Sequence, residues 1–217
     1  MADAGHGFRK SAVREWVESI CVAVILAFFV RTFVVQAFKI PSGSMEPNLL
    51  IGDHLLVNKF VFAPALTSLE RTLLPIAPIR RGDIIVFKYP EDPTRDFIKR
   101  VIGLPGDTIE MRNKKVYVNG VPLSEPYAHF IYPPDEGGSG APDIETADLL
   151  REFAPMTVPA DNYFMMGDNR DNSQDSRYWG FMPRDYVKGK ALFVYFSFGE
   201  GGGPANIRWS RLLHQIH

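Results

Sequence analysis

The sequence predicts a mainly β protein: an antiparallel β-sheet body with few short helices, preceded by one N-terminal transmembrane helix. Three observations carry this. Short runs rich in β-branched and aromatic residues recur between turn residues along the body of the chain. Glycine (18) and proline (17) are frequent enough among 217 residues to favour strands and turns over a helical bundle. Residues 20–30, near the start, are eleven consecutive apolar residues.

The apolar run comes first. Across residues 19–38 the only charge is Arg31. At about 1.5 Å per residue that stretch reaches roughly 30 Å, the thickness of a bilayer core. Trp16 sits where an interfacial anchor sits, and Arg9, Lys10 and Arg14 precede it. Other readings are a removable export signal, with 35–37 (VQA) as its cleavage site, and a buried helix of a soluble body. Phe33, Val34 and Val35 extend the run past what a removable signal needs, which favours the retained anchor. Basic residues on the two sides differ little in number, with a mild bias toward an inside N-terminus.

After residue 40 the pattern changes to strands. Residues 83–89 (DIIVFKY), 97–102 (FIKRVI) and 191–198 (ALFVYFSF) read as three of them. Residues 108–111 and 115–118 read as a hairpin, and Asn119-Gly120 marks the next tight turn. Residues 60–74 are oddly apolar for a loop, and read either as core or as a patch against lipid or a hydrophobic partner. A Gly-rich stretch at 133–141 reads as a flexible loop, and 143–153 as acidic and then modestly helical; together they suggest an insert over 133–157. Trp209, Leu212, Leu213 and Ile216 fall at i, i+3, i+4 and i+7, which predicts an amphipathic helix over 207–217, docked on the body or lying on a membrane.

Composition narrows the function. Twenty-four Lys and Arg against 25 Asp and Glu give a net charge of −1, so bulk nucleic-acid binding has no support. The single cysteine, Cys21, rules out an internal disulfide framework and a Cys-rich zinc site. There is no Gly-x-Ser-x-Gly, no Ser followed by Lys at the third position and no His-Glu-x-x-His. The five histidines are scattered, and the acidic run 168–175 (DNRDNSQD) departs from the EF-hand pattern.

Three segments carry possible chemistry. Residues 40–49 (IPSGSMEPNL) form a turn bearing the hydroxyls of Ser42 and Ser44, and such a turn frees backbone N–H groups to face a ligand. In 97–107 (FIKRVIGLPGD), strand alternation puts Lys99 between Phe97 and Val101, and an amine among apolar neighbours loses hydration and basicity. Residues 166–180 (MGDNRDNSQDSRYWG) are dense in Asp, Asn, Ser and Arg. They read as a braced loop or as a polar frame that holds another side chain in place. Taken singly, each also reads as ordinary structure: a polar turn, a snorkelling surface lysine, an Asx-rich loop.

Taken together and in order, PSGSMEP with LLIGDHLLVNKF, RGDIIVFKYPEDP, DFIKRVIGLPGD and MGDNRDNSQDSRYWGFMP resemble the bacterial type I signal peptidases, membrane-bound peptidases of the serine/lysine type. The resemblance covers roughly residues 14–183 and the strand at 188–198. It implies Ser44 as nucleophile, Lys99 as general base, and an oxyanion hole of the Ser42 hydroxyl and the Ser44 N–H. It implies that Ser173 orients the lysine, with Asp168, Arg170 and Asp175 as supporting network. Phe38, Ile40, Met45, Leu49, Val86, Phe97 and Ile98 match positions that line pockets for small substrate side chains. It further implies a cytoplasmic segment 1–15, an anchor over 16–38 and an extracytoplasmic catalytic domain over 39–217. The expected setting is the bacterial cytoplasmic membrane. The expected partners are signal peptides of exported pre-proteins and membrane lipid, with no nucleic acid, metal or cofactor. The chain departs from the pattern in showing one candidate span, where some relatives have two, and in its Gly-rich insert. Two other readings stand beside this one: a soluble self-cleaving serine/lysine peptidase, disfavoured by the apolar run, and an inactive membrane-tethered adaptor, disfavoured by an intact Ser44 and Lys99.

Overall fold

A computed structural model describes residues 12–29, 31, 34–62, 76–131, 152–199, 201 and 206–216. Most of the body is antiparallel sheet, as the sequence predicts. The strands are β1 (Val35–Lys39), β2 (Asp53–Asn58), β3 (Ile84–Lys88), β4 (Asp96–Gly103), β5 (Thr108–Arg112) and β6 (Lys115–Val118). They continue with β7 (Val121–Pro122), β8 (Phe153–Thr157), β9 (Asn162–Met166), β10 (Met182–Pro183), β11 (Val187–Ser197) and β12 (His214–Gln215). Among the described residues the α-helices are α1 (Ala12–Phe29) and the short α2 (Ser176–Trp179).

The larger sheet runs β1-β2-β11-β3-β4-β9-β10, with β12 paired to β11; the smaller runs β7-β6-β5-β8. The predicted hairpin over β5 and β6 forms, with Ile109 opposite Val118. Asn119 (φ 54°) and Gly120 (φ 76°) then make the tight turn into β7; two successive positive φ values suit Asn-Gly. β3 is buried on both faces, so Ile84 and Val86 join one apolar cluster and Ile85 and Phe87 another. That explains why its sequence reads as a continuous apolar run rather than an alternation. Phe97 and Val101 of β4 pack in the second cluster and Ile98 in the first, as period-two alternation requires. A third cluster, built on Ile109, Val116 and Phe164, fills the smaller sheet.

Three expectations change. The predicted 16–38 segment is not one element: α1 ends at Phe29, and Val35–Lys39 is β1, paired along its length with β2. Phe38 packs against the first cluster, so the last apolar residues of that stretch serve the sheet. Among the described residues no helix is long and apolar enough to cross a membrane. The predicted C-terminal helix is a 3-10 turn at Trp209–Arg211 followed by β12. Leu213 takes φ 55°, and the Ile216 N–H donates to the Leu192 carbonyl at 3.1 Å. An isolated helix of this length is marginal, so the open edge of β11 takes the segment as a strand. Within the predicted insert, Phe153–Thr157 is β8, paired with β5; the Gly-rich stretch lies outside the described residues. Of the apolar segment at 60–74, Phe62 is buried in the second cluster, and residues 63–74 lie outside the described residues.

Candidate active site

The turn that carries Ser44 is shaped by its own backbone. The Glu46 N–H donates to the Gly43 carbonyl (3.1 Å) and the Leu49 N–H to the Met45 carbonyl (2.9 Å). Met45 and Leu49 are fully buried in the first apolar cluster, so the turn is locked from beneath. Asn169 clamps it from above: its backbone N–H donates to the Ser44 carbonyl and its side chain to the Gly43 carbonyl, both at 3.1 Å.

β4 brings Lys99 to this turn across 55 residues. The Lys99 Nζ lies 2.6 Å from Ser44 Oγ and 3.1 Å from the Ile98 carbonyl. Lys99 is 3% exposed and Ser44 7%. Burial pushes the Lys99 amine down from 10.5 to about 8; Asp175 and Asp168 resist that fall and Arg177 assists it. An amine with that basicity is about one-tenth neutral at pH 7, against well under one part in a thousand for a free lysine.

The polar loop after β9 forms the frame. The buried Asp168 accepts from Arg100 Nε (2.8 Å) and Nη2 (2.7 Å), and also from Asn48 Nδ2 (2.8 Å). One carboxylate thus ties the residue beside Lys99 to the turn of Ser44. Arg100 also lies 3.9 Å from the centre of the Tyr127 ring. Arg170 is buried against Glu125, and Asp175 caps α2 and pairs with Arg177 at 2.8 Å, both side chains fully buried. Burial would raise the Asp175 carboxyl, but the charge and hydrogen bonds of Arg177 and the Gly167 N–H outweigh it and hold it below its usual range. Gly167 fits where nothing larger does: a Cβ there would stand 2.2 Å from Ser173 Oγ and 2.4 Å from the Ser44 carbonyl oxygen.

The predicted residues distribute as follows. Ser42, Ser44, Phe97, Ile98 and Lys99 line one cavity of about 510 Å³, together with Pro41, Gly43, Arg95, Asp96, Asn172 and Gln174. Ile40, Met45, Leu49, Val86 and Ile98 form part of the first buried cluster, with Phe38 packed against it. Ser173 is buried against Gly167, and its hydroxyl makes no hydrogen bond of ordinary geometry among the described residues; Lys99 is held by the Ile98 carbonyl and Ser44. Asn48, Arg100, Asn169, Arg177 and Gly167 were not singled out from the sequence. All lie inside the motifs quoted above, but which of them pair across more than sixty residues is a property of the folded chain.

A serine hydroxyl in hydrogen-bond contact with a buried amine of lowered basicity, at the base of a cavity, is a constellation for nucleophilic hydrolysis. Comparison with known proteins agrees with that class. Residues 13–196 match the family model described as signal peptidase, peptidase S26. A signal peptidase I of Pseudomonas aeruginosa is 38% identical over 212 residues, covering 86% of this chain and 73% of its own length. A signal peptidase I P of Bacillus subtilis subsp. natto is 40% identical over 189 residues, covering 87% and 91%. A solved signal peptidase I from Enterococcus faecalis V583 is 36% identical, covering 53% of this chain and 97% of its own, with a TM-score of 0.41. The chain belongs to the signal peptidase family, peptidase S26, and is an enzyme of the signal peptidase I type.

Proposed function

We propose that this chain is a membrane-anchored serine endopeptidase. It removes N-terminal signal peptides from exported pre-proteins after small residues, with Ser44 as nucleophile and Lys99 as general base. The observation that carries the reading is the 2.6 Å contact between Ser44 Oγ and the buried Lys99 Nζ. The neutral amine takes the Ser44 proton as Oγ attacks the scissile carbonyl carbon. The oxyanion that forms is held by the Ser44 N–H and the Ser42 hydroxyl; one such donor is typically worth about 2.7–4 kcal/mol. The Lys99 ammonium passes its proton to the leaving amine as the C–N bond breaks. Lys99 then deprotonates a water, which hydrolyses the acyl-Ser44 ester and restores the hydroxyl. Ser173, Asp168, Arg170 and Asp175 position the pair; Phe97 and Ile98 wall the cavity, and Phe38, Ile40, Met45, Leu49 and Val86 pack behind Ile98 in the first cluster, an apolar backing that favours small side chains.

α1 supports anchoring. It buries none of its residues, and Val13, Trp16, Ile20, Ile25 and Phe28 are more than half exposed, an arrangement suited to lipid. Cleavage after Ala37 would cut β1 in two, which favours a retained anchor over a removable signal. The setting proposed is the bacterial cytoplasmic membrane, with a single pass and the body on the outer side.

The test is pre-protein cleavage by the full chain in membranes. Ser44→Ala and Lys99→Ala should each abolish turnover, and Lys99→Arg should not restore it, because a guanidinium keeps its proton. A fully active Lys99→Arg enzyme would remove Lys99 as base.

A further inference from the structure

One wall of the cavity carries a cation that the dyad chemistry does not use. The loop joining β3 to β4 closes on itself: the Tyr89 N–H donates to the Arg95 carbonyl (2.9 Å) and the Arg95 N–H to the Asp92 carbonyl (3.0 Å). This fixes Arg95 at the cavity mouth. Tyr89 and Phe97 stack with ring centres 4.2 Å apart and planes 10° from parallel. The Arg95 guanidinium sits 5.6 Å from the first ring centre and 5.4 Å from the second. The platform is braced, since Gln174 Nε2 donates to Tyr89 Oη (3.0 Å) and Tyr89 donates to Glu91. Burial and Glu91 push the Tyr89 phenol up to about 12, so the platform stays neutral.

The carboxylates near Arg95 make their hydrogen bonds and ion pairs with other residues, and Asp92 meets the Arg95 charge only through space. Glu91 accepts from Tyr89, Asp92 accepts from the Thr94 N–H and hydroxyl, and Asp96 pairs with Lys188 at 2.7 Å. Among the described residues Arg95 itself makes no side-chain hydrogen bond or ion pair. It is an exposed cation held on an aromatic platform, in the same cavity as Ser44 and Lys99. A guanidinium fixed in this way loses little freedom when it closes on a carboxylate.

We propose that Arg95 is a specificity-determining residue, and that it takes the carboxylate of an Asp or Glu side chain lying within three residues of the scissile bond. This rests on the peptidase reading above and adds an electrostatic preference to its preference for small residues.

The test uses the full chain in neutral detergent micelles and a set of peptides built on one cleavable parent. Each carries Glu, Gln or Lys at a single position, from three residues before the scissile bond to three after it. The readout is the ratio of kcat/KM for the Glu and Gln peptides, which cancels changes common to both. At one position the wild-type ratio should be about five, the scale of an exposed ion pair of good geometry. Arg95→Gln should bring it to about one, Arg95→Glu should reverse it in favour of the Lys peptide, and about 0.5 M salt should weaken it. A ratio near one at every position in the wild type, or a preference kept by Arg95→Gln, overturns the proposal while leaving the peptidase reading intact. Failure of the wild type to cleave the parent peptide overturns both.

Discussion

At position 99 an amine has been taken out of water, and the loss of hydration lowers its basicity. Lowering its basicity from 10.5 to about 8 amounts to about 3 kcal/mol of penalty on the charged form. Below about pH 8 the folded and unfolded chains both carry the proton, and the penalty is present in full. Between about 8 and 10.5 the unfolded chain binds more protons, so folding stability rises with pH through that window. Activity should rise with pH as the amine is freed. The acid limb of kcat/KM against pH is expected to have a midpoint near 8, and a flat profile between pH 6 and 9 would contradict the role of Lys99. Denaturant titrations should show the stability gain between pH 8 and 10.5 shrinking in Lys99→Met. A second prediction at this scale concerns Gly167, whose missing side chain leaves room for both the Ser44 carbonyl and Ser173. Gly167→Ala should cost about 1–3 kcal/mol of stability by overpacking. By shifting the Ser44 turn it should also lower turnover about a hundred-fold. Parallel melting and rate measurements check both, and wild-type rates would show that the turn tolerates the shift.

Two elements that the local sequence does not join are held together by ions. Asp168 links the Arg100 of β4 to the Asn48 of the Ser44 turn. Asp168→Asn keeps the shape but strands a buried guanidinium. It should destabilise the body by about 3–5 kcal/mol and lower turnover further than the melting temperature explains. The C-terminal segment provides a second clamp. Arg211 pairs with the fully buried Asp53 (2.6 Å) and donates to the Asn48 carbonyl (2.8 Å), so this tail braces the same turn from the far side. Arg211→Met should cost about 3 kcal/mol in chemical denaturation. An unchanged midpoint would mean that the Asp53 carboxylate is satisfied by Ser197 and the Leu50 N–H alone.

For the molecule as a whole, the division falls between α1, which buries none of its residues, and β1, which is paired along its whole length. A chain shortened to begin at Arg31 should keep its cleavage of short peptides within about three-fold. It should lose about a hundred-fold on membrane-held pre-proteins, because the shared bilayer no longer raises their effective concentration. A chain beginning at Ile40 lacks β1 and the cover that Phe38 gives the first cluster, and it should fail to fold. Equal loss on both substrates in the first truncation would argue that α1 serves the body rather than the membrane.

The sequence by itself determined what period and composition can encode. The runs at 83–89, 97–102 and 191–198 and the hairpin at 108–118 were legible because β-branched residues and Asn-Gly turns act locally. The quoted motifs made Ser44 and Lys99 candidates before any contact was known. Only the tertiary structure decided what depends on partners distant in the chain. The apolar period at 209–216 reads as a helix until the free edge of β11 offers hydrogen bonds to a strand. Residues 35–38 read as the end of a span until β2 pairs with them. The apolar neighbours Phe97 and Val101 point to a lowered basicity at Lys99, but they do not set its extent. That extent follows from closing a turn 55 residues away over the amine, with Asp168 and Asp175 near enough to limit the fall.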